Sequence, residues 1–130
     1  MKKQAPTFWR CNHCGNIAEK IVNSGVKMIC CGTPMEELIA NTVNASVEKH
    51  LPVTTKIDDC IMKIEVGSAP HPMMDEHHIA FIYLETEDGG EHVLLDKNGK
   101  PETELCTCKH KPVAAYAYCN LHGLWKTELK

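Results

Sequence analysis

Four cysteines near the start of the chain have the types and spacing of metal ligands. Two residues separate Cys11 from Cys14, whereas Cys30 and Cys31 are adjacent. Two thiolate pairs brought together across a hairpin form a tetrahedral four-sulfur site, which zinc and iron both accept. A disulfide between Cys30 and Cys31 is disfavoured, because adjacent Cα atoms lie about 3.8 Å apart and a relaxed disulfide needs about 4.4–6.8 Å. The spacing predicts a four-thiolate site and leaves iron and zinc as alternatives.

A glycine follows each cysteine pair and supports this interpretation. Gly15 and Gly32 are expected to adopt positive φ, which lets a loop turn its backbone amides toward a metal-bound sulfur. His13 could replace one cysteine as a ligand, but four thiolates are already present. We therefore expect His13 to be a surface residue.

A second group of ligand-type residues lies in three separated segments. Histidines occur at the end of segment 48–50, in a His-Pro-Met run at 71–73 with His77 beyond it, and beside a cysteine in segment 119–125. Prolines near the first two segments disfavour continued strand pairing, so the histidines are expected to converge from loops. Cys119 and His122 are three residues apart and can reach the same ion. The pattern predicts a second metal site.

Composition and charge agree with metal binding and argue against several other classes of protein. Eight cysteines and eight histidines in 130 residues exceed what packing requires. Residues 1–10 contain no apolar signal core, so we expect a cytoplasmic protein and not a secreted disulfide framework. With no run of 18 apolar residues, and with 14 basic residues scattered among 17 acidic ones, we expect no membrane span and no nucleic-acid partner.

The elements that must position these residues are predicted to be strands, because apolar positions repeat with period two and turn signals recur about every ten residues. Helical periodicity is weak. Predicted strands lie at 17–22, 26–29, 43–48, 60–66, 79–85, 92–95, 104–108 and 113–118. Hairpin turns are predicted at 23–25, 87–90 and 97–100. Cysteine usage changes near residue 38, which predicts a small domain at 1–38 and a sandwich of antiparallel strands at 39–130.

With these motifs in place, the chain resembles the desulfoferrodoxin family, the two-iron form of superoxide reductase. Its N-terminal part resembles desulforedoxin through the cysteine pairs, and segments 48–50, 71–77 and 119–125 resemble neelaredoxin in the same order. The resemblance covers nearly the whole chain. It implies an all-β fold in which a metal-stapled, desulforedoxin-like hairpin domain precedes an immunoglobulin-like antiparallel β-sandwich.

The resemblance also implies the two metal centres and the reaction. The first iron would be held by four thiolates, those of Cys11, Cys14, Cys30 and Cys31. The second would be held by four imidazoles and one thiolate, with the sixth position open, and its ligands would be His50, His71, His77, His122 and Cys119. A thiolate ligand pushes electron density onto iron. The implied reaction is reduction of superoxide to hydrogen peroxide, followed by re-reduction of the iron by a rubredoxin-type donor, and a homodimer is also implied.

Three residues beside these ligands need separate interpretation. Lys49 could be an ordinary surface lysine, but within the family match we expect it to guide the anionic substrate and to orient a proton-delivering water. Glu48 resembles the carboxylate that can occupy the open position of the ferric site. His78 directly follows His77, and the spacing from His71 favours His77 as the ligand.

Two other functions are compatible with parts of the pattern. A blue-copper electron carrier also places a cysteine and a histidine in one loop of a β-sandwich, but the segment after His122 has no methionine and four histidines exceed its needs. A zinc-ribbon interaction module would use the four N-terminal cysteines and leave the histidines unexplained. Among the remaining residues we expect His92 and His110 to face solvent, and Cys60, Cys106 and Cys108 to be packing residues.

Overall fold

Twelve short strands and one helical turn form the secondary structure of residues 4–129, which are the residues that this computed structural model describes. The chain divides into two compact units, with the boundary between Ile39 and Ala40. Every strand pair is antiparallel, so the all-β prediction is confirmed. Within residues 4–129, no helix has the length and apolar character needed to cross a bilayer.

The first unit consists of a three-stranded sheet and a separate hairpin. The sheet has the order β2-β1-β5, with β1 at Thr7–Arg10, β2 at Ile17–Lys20 and β5 at Glu36–Leu38. The hairpin pairs β3 with β4, which lie at Ile29–Cys30 and Thr33–Pro34. The predicted hairpin turn at 23–25 is wrong, because β2 pairs with β1 and β3 pairs with β4. That segment connects two different sheets.

The second unit contains two sheets. The three-stranded sheet has the order β10-β7-β6, with β6 at Pro52–Lys56, β7 at Ile61–Val66 and β10 at Glu102–Cys106. The four-stranded sheet has the order β12-β11-β8-β9, with β8 at Ile79–Thr86, β9 at Gly89–Leu94, β11 at Pro112–Cys119 and β12 at Gly123–Glu128.

Alternating side chains of the two sheets of the second unit bury one shared core. Ile64 and Leu105 come from the three-stranded sheet, whereas Ile82, Leu84 and other residues come from the four-stranded sheet. Two sheets that share a core in this way form a sandwich. Cys119, the last residue of β11, belongs to this core and is fully buried. The core therefore extends to the end of the strand that carries a predicted metal ligand. The immunoglobulin-like topology stays a prediction.

Several predicted elements of the second unit differ from the structure. The strand predicted at 43–48 is wrong: helix α1 occupies Val47–His50, with Leu51 N donating to Val47 O at 3.0 Å. The hairpin predicted at 97–100 is wrong because β9 and β10 lie in different sheets. The hairpin at 87–90 is confirmed, since Thr86 pairs with Gly89. Strands β6 and β12 were not predicted; β6 begins with Pro52, which a strand tolerates at its first residue.

Candidate metal centres

Two hairpin loops of the first unit bring the four N-terminal cysteines together. The β1–β2 loop carries Cys11 and Cys14, and the tip of the β3–β4 hairpin carries Cys31 beside Cys30. All four sulfur atoms lie within 4.8 Å of one another. Cys14 Sγ and Cys30 Sγ are 3.7 Å apart. A tetrahedron with metal–sulfur distances of about 2.3 Å has edges of about 3.8 Å, so the sulfur cluster has the size of a four-thiolate metal site.

Backbone conformation in these loops follows the predicted pattern. Gly15 and Gly32 adopt φ values of 83° and 75°, and Cys31 adopts 54°. Two successive positive φ values at Cys31 and Gly32 suit a two-residue hairpin loop of type I′. In the other loop, Cys14 N donates to Cys11 Sγ at 3.5 Å. The loops therefore turn the cysteines inward and direct an amide at one of the sulfurs.

Hydrogen bonds within the sulfur cluster shift the pKa values of Cys11, Cys30 and Cys31. The backbone amide of Cys14 lowers the pKa of the Cys11 thiol to about 6. The nearby Cys14 and Cys11 side chains raise the pKa of Cys31 to about 12, and the Cys11 side chain raises the pKa of Cys30. Four thiolates so close together repel one another, and a bound cation offsets that repulsion. His13 is exposed beside the cluster.

In the second unit, a histidine cluster forms around the buried thiol of Cys119. Ligand atoms of His50, His71, His77 and Cys119 all lie within 4.8 Å of one another. His122 completes the cluster, since its Nδ1 lies 3.1 Å from His50 Nε2 and 3.8 Å from Cys119 Sγ. We use the name histidine cluster for these four histidines together with Cys119. Its members come from helix α1, from the loop before β8, from the last residue of β11 and from the β11–β12 turn.

Hydrogen bonds on the outer ring nitrogens show which atoms face the centre of the histidine cluster. His50 Nδ1 lies 2.6 Å from Ser46 O, and His71 Nδ1 lies 2.7 Å from Pro72 O. Because a carbonyl only accepts, these Nδ1 atoms carry the protons and leave the Nε2 lone pairs free. The Nε2 atoms of His71 and His77 are buried without a hydrogen-bond partner. Buried nitrogens with free lone pairs beside a thiol fit a metal ion that all of them bind.

The imidazoles are held in the neutral form that metal binding requires. Burial lowers the pKa of His71 to about 4 and also lowers the pKa values of His50 and His77. Burial raises the pKa of the Cys119 thiol. Neutral histidines are ready to bind at pH 7, whereas the thiol must lose its proton when a metal enters. The donor set fits the iron site that the family resemblance implies.

Trp125 forms one wall of the histidine cluster. Its ring stacks on that of His50, with centroids 5.0 Å apart and an interplanar angle of 22°. Its Nε1 donates to His122 O at 3.0 Å, and the side chain is only 2% exposed. Trp125 therefore holds one ligand ring by stacking, holds the backbone of another, and excludes water from that side.

Glu48, Lys49 and His50 lie on one helical turn, α1, but differ in burial. Successive residues of a helical turn point in different directions, so His50 is buried while Glu48 and Lys49 are exposed. Burial is the main cause of the lowered pKa values of His50 and His77, and the positive charge of Lys49 adds to it. Lys49 therefore acts electrostatically on the cluster from its solvent side.

Sequence reasoning missed Gly67, which allows the neighbouring loop to pack against α1. Gly67 has φ 84°, and a Cβ there would lie 2.7 Å from Lys49 O and 2.5 Å from Ala69 O. The close approach lets Ala69 N donate to Glu48 O at 3.2 Å. Only glycine combines this conformation with this approach. The steric need appears only when the two segments meet, so nothing local in the sequence indicated it.

The adjacent histidines His77 and His78 have different surroundings. His77 belongs to the histidine cluster, whereas His78 Nδ1 lies 3.0 Å from Met74 O. The nearby Met73 does not supply a ligand: its sulfur accepts a hydrogen bond from Ile79 N at 3.3 Å. The histidine cluster has more ligands than a blue-copper site uses. A zinc-ribbon module would give these histidines no role.

The expectation that Cys60, Cys106 and Cys108 are packing residues is wrong. All three are exposed, and Cys60 forms a disulfide with Cys108. The prediction assumed that strand periodicity continues to Cys108, but β10 ends at Cys106. Pairing of β10 with β7 then places the chain after Cys106 beside the chain before Ile61. His92 and His110 are exposed, as expected.

Known proteins match both units of this chain. A family model described as Desulfoferrodoxin, N-terminal domain, matches residues 4–38, and one described as Desulfoferrodoxin matches residues 42–128. A desulfoferrodoxin of Nitratidesulfovibrio vulgaris is 40% identical over 121 residues, which cover 93% of this chain and 94% of the relative. A desulfoferrodoxin of Syntrophotalea carbinolica is 41% identical over 122 residues, which cover 92% and 94%.

A solved structure matches the fold as well. The crystal structure of the superoxide reductase from Treponema pallidum has a TM-score of 0.81 and 30% sequence identity, and the match covers 96% of this chain and 100% of that one. The four-cysteine cluster and the histidine cluster match the two iron centres of desulfoferrodoxin. Sequence, fold and both ligand sets together show that this chain belongs to the desulfoferrodoxin family.

Proposed function

We propose that the chain is a superoxide reductase, and that the histidine cluster is its active site. The observation that carries this proposal is the pair of buried Nε2 atoms of His71 and His77, which have no hydrogen-bond partner and lie beside the Cys119 thiol. The reaction takes superoxide, one electron and two protons to hydrogen peroxide. The similar protein from Treponema pallidum is a superoxide reductase, which supports the same activity.

Each member of the histidine cluster contributes to this chemistry. His50, His71 and His77 would bind iron through Nε2, His122 through Nδ1 and Cys119 through its thiolate. When iron is bound, it supplies a centre that gives one electron and passes between the ferrous and ferric states. These five protein donors would leave a sixth position open for the substrate. Trp125 shields this site from water on one side.

Lys49 and Glu48 would act at the solvent side of the cluster. The exposed Lys49 ammonium attracts anionic superoxide and can orient a water that delivers protons. Its electrostatic effect on His50 and His77 supports this placement. Glu48, exposed on the same helical turn, can offer its carboxylate to the open position when no substrate is present. It is a competitor of the substrate and not a proton donor.

The division of the chain into domains assigns a separate task to each part. Residues 1–38 would form an iron domain whose four thiolates supply folding free energy to a core too small to fold by itself. Residues 39–130 would form the reductase domain. The match of separate family models to residues 4–38 and 42–128 supports this division.

We propose two partners, an electron donor and a second copy of the chain. The iron must be re-reduced after each turnover, and we propose a rubredoxin-type donor in the cytoplasm. We also propose a homodimer, because the first unit exposes large apolar side chains, including Ile21 at 86% and Val22 at 83%. Large exposed apolar groups commonly mark association surfaces.

Stopped-flow mixing of the reduced protein with pulsed superoxide tests the function. We expect second-order oxidation of the histidine site with one hydrogen peroxide formed for each iron oxidised, and dioxygen release characteristic of dismutation should be absent. Metal analysis should find two irons for each chain. One zinc and no iron at the histidine cluster, or no reaction with superoxide, would contradict the proposal.

A further inference from the structure

Cys60 and Cys108 form a disulfide in a region that the proposed function does not use. They are 48 residues apart in sequence, and their Cα atoms lie 4.6 Å apart. Cys60 ends the β6–β7 loop, and Cys108 lies in the segment after β10. Both residues are exposed. Soluble reagents can therefore reach the sulfur atoms of this pair.

The backbone holds the two cysteines together independently of the bond between their sulfurs. Thr107 N donates to Cys60 O at 2.7 Å, which ties the two segments beside the disulfide. Asp58 Oδ1 accepts from Cys60 N at 2.7 Å and from Ile61 N at 2.9 Å, which holds the β6–β7 loop in shape. The reduced thiols would therefore stay adjacent, so opening and reforming the bond requires little rearrangement.

The residues that flank the two cysteines in the sequence differ in charge. Cys60 follows two acidic residues, Asp58 and Asp59, whereas Cys108 is followed by Lys109 and lies two residues before His110. Cys108 lines a surface cavity of about 360 Å³, whose lining also includes Lys109, Lys111 and an ion pair of Lys56 with Asp59 at 3.6 Å. Neighbouring cations favour the thiolate, and the thiolate is the reactive form of cysteine. Cys108 is therefore the sulfur suited to attack an incoming oxidant.

We propose that Cys60 and Cys108 form a reversible dithiol–disulfide site that is oxidised by hydrogen peroxide and reduced by a dithiol. The Cys108 thiolate attacks peroxide, the O–O bond breaks, and Cys108 sulfenic acid and hydroxide form. The Cys60 thiol then displaces the sulfenic oxygen as water and forms the disulfide. An external dithiol reverses the reaction by two thiol–disulfide exchanges and leaves as its own disulfide. The proposed function supplies the peroxide, and in that respect alone the inference rests on it.

The remaining exposed cysteine of the second unit provides a matched control. Cys106 is exposed at the end of β10, two residues from Cys108, and is not in the disulfide. Its backbone pairs with Ile61 and not with Cys60. A general sensitivity of surface thiols would affect Cys106 as well, whereas the proposed site requires Cys60 and Cys108.

The test uses the full-length, iron-loaded protein with added hydrogen peroxide, so it does not depend on superoxide turnover. The protein is reduced with dithiothreitol, desalted, treated with one equivalent of peroxide, alkylated and mapped by peptide mass spectrometry. We expect wild type and Cys106→Ser to form the Cys60–Cys108 linked peptide, and dithiothreitol to open it in the folded protein. With dimedone present, Cys60→Ser should accumulate a sulfenic adduct at Cys108. Cys108→Ser should give at least tenfold less adduct at Cys60.

Three results would overturn the inference. They are failure of peroxide to form the linked peptide, resistance of the disulfide to dithiothreitol in the folded protein, and equal dimedone labelling of Cys60 and Cys108 in the two single variants. Because wild-type protein tests the first two, poor folding of a variant would not leave the question open. A protein that fails the superoxide assay and passes this one would disprove the proposed function alone.

Discussion

Asn120 and His78 are joined by two hydrogen bonds between the turn after β11 and the loop before β8. Asn120 Oδ1 accepts from His78 N at 2.8 Å, and Asn120 N donates to His78 O at 3.1 Å. The Asn120 side chain also donates, through Nδ2, to Glu76 O at 3.0 Å. His77 lies between these anchored residues, so one side chain holds the loop that brings His77 to Cys119 and His122.

Asn120→Ala is expected to weaken iron binding at the histidine cluster without unfolding the protein. The change removes two side-chain hydrogen bonds, each worth about 0.5–1.5 kcal/mol. Loss of such supporting contacts typically weakens metal affinity by about 10- to 100-fold. Iron release to a chelator measures the effect. Asn98→Ala, at an exposed asparagine in another turn, should release iron at the wild-type rate; equal release by both variants would show that the Asn120 contacts do not support the site.

Cys30→Ser should unfold or loosen residues 1–38 and leave the histidine cluster intact. The change removes one of four thiolates from a unit whose folding depends on its metal. Hydrogen exchange of β1 and β2, together with metal analysis, measures the outcome. His13→Ala is the control and should keep both metals. An ordered first unit that retains its metal in the Cys30 variant would contradict the assignment.

Cys119→Ser should abolish reductase activity, because the change removes the thiolate ligand. Substitutions of the adjacent histidines, His77 and His78, should differ sharply in their effect on iron content and activity. His77 Nε2 is buried without a hydrogen-bond partner, whereas His78 lies against Met74 O. We therefore expect His77→Ala to lose iron from the histidine cluster and His78→Ala to keep most activity. Iron content and the rate of reaction with superoxide, measured for both variants, show which histidine is the ligand. The reverse pattern, with iron lost only from the His78 variant, would exchange their assignments.

Lys49→Ala should keep both irons and slow the reaction with superoxide by roughly 10- to 100-fold, because a cation at the entrance raises the local concentration of an anion. The rate should also become less sensitive to added salt. Stopped-flow rates at several ionic strengths measure both effects. Lys100→Ala, at another exposed lysine, is the control. An unchanged rate and salt dependence in the Lys49 variant would show that Lys49 is an ordinary surface lysine without a steering role.

Glu48→Ala should change the ferric spectrum and leave the superoxide rate nearly intact, in contrast to Lys49→Ala. In the proposed role Glu48 competes for the open position, so the change would remove a competitor and add no barrier to the substrate. We expect a nearly unchanged superoxide rate and an altered absorption spectrum of the ferric protein. A large loss of rate with an unchanged ferric spectrum would contradict the role of Glu48 as a competing ligand.

Acidification should destabilise the metal-free protein between pH 6.5 and about 4. His71 protonates near pH 6.5 in an unfolded chain but only at about 4 when buried, so the unfolded state binds more protons in this window. The loss for His71 is at most about 3 kcal/mol, and His50 and His77 act in the same direction. Hydrogen exchange of β8 and β11 at a series of pH values measures it. The control His92→Ala, at an exposed histidine, should show the same pH dependence of stability as wild type. A stability that does not change from pH 6.5 to 4.5 would contradict the prediction.

Local spacing determined much of the metal chemistry. A Cys-x-x-Cys segment and an adjacent cysteine pair restrict which sulfurs can share one ion, and the glycine after each pair predicted the positive φ values found at Gly15 and Gly32. The alternation of apolar residues likewise indicated the long strands β8 and β11, because period two places one face of a strand in a core. These features depend on few neighbours, so the residues themselves carry them.

Contacts between distant segments decided the rest. His50 lies on a helical turn and not in a loop after the strand predicted at 43–48, and the loop at Gly67 packs against this turn at Lys49. Which nitrogen of each ring faces the cluster depends on carbonyls such as Ser46 O. Cys60 meets Cys108 only because β7 pairs with β10 across the intervening chain. Residue type sets what a side chain can bind, but pairing and packing of the folded chain set which partners it meets.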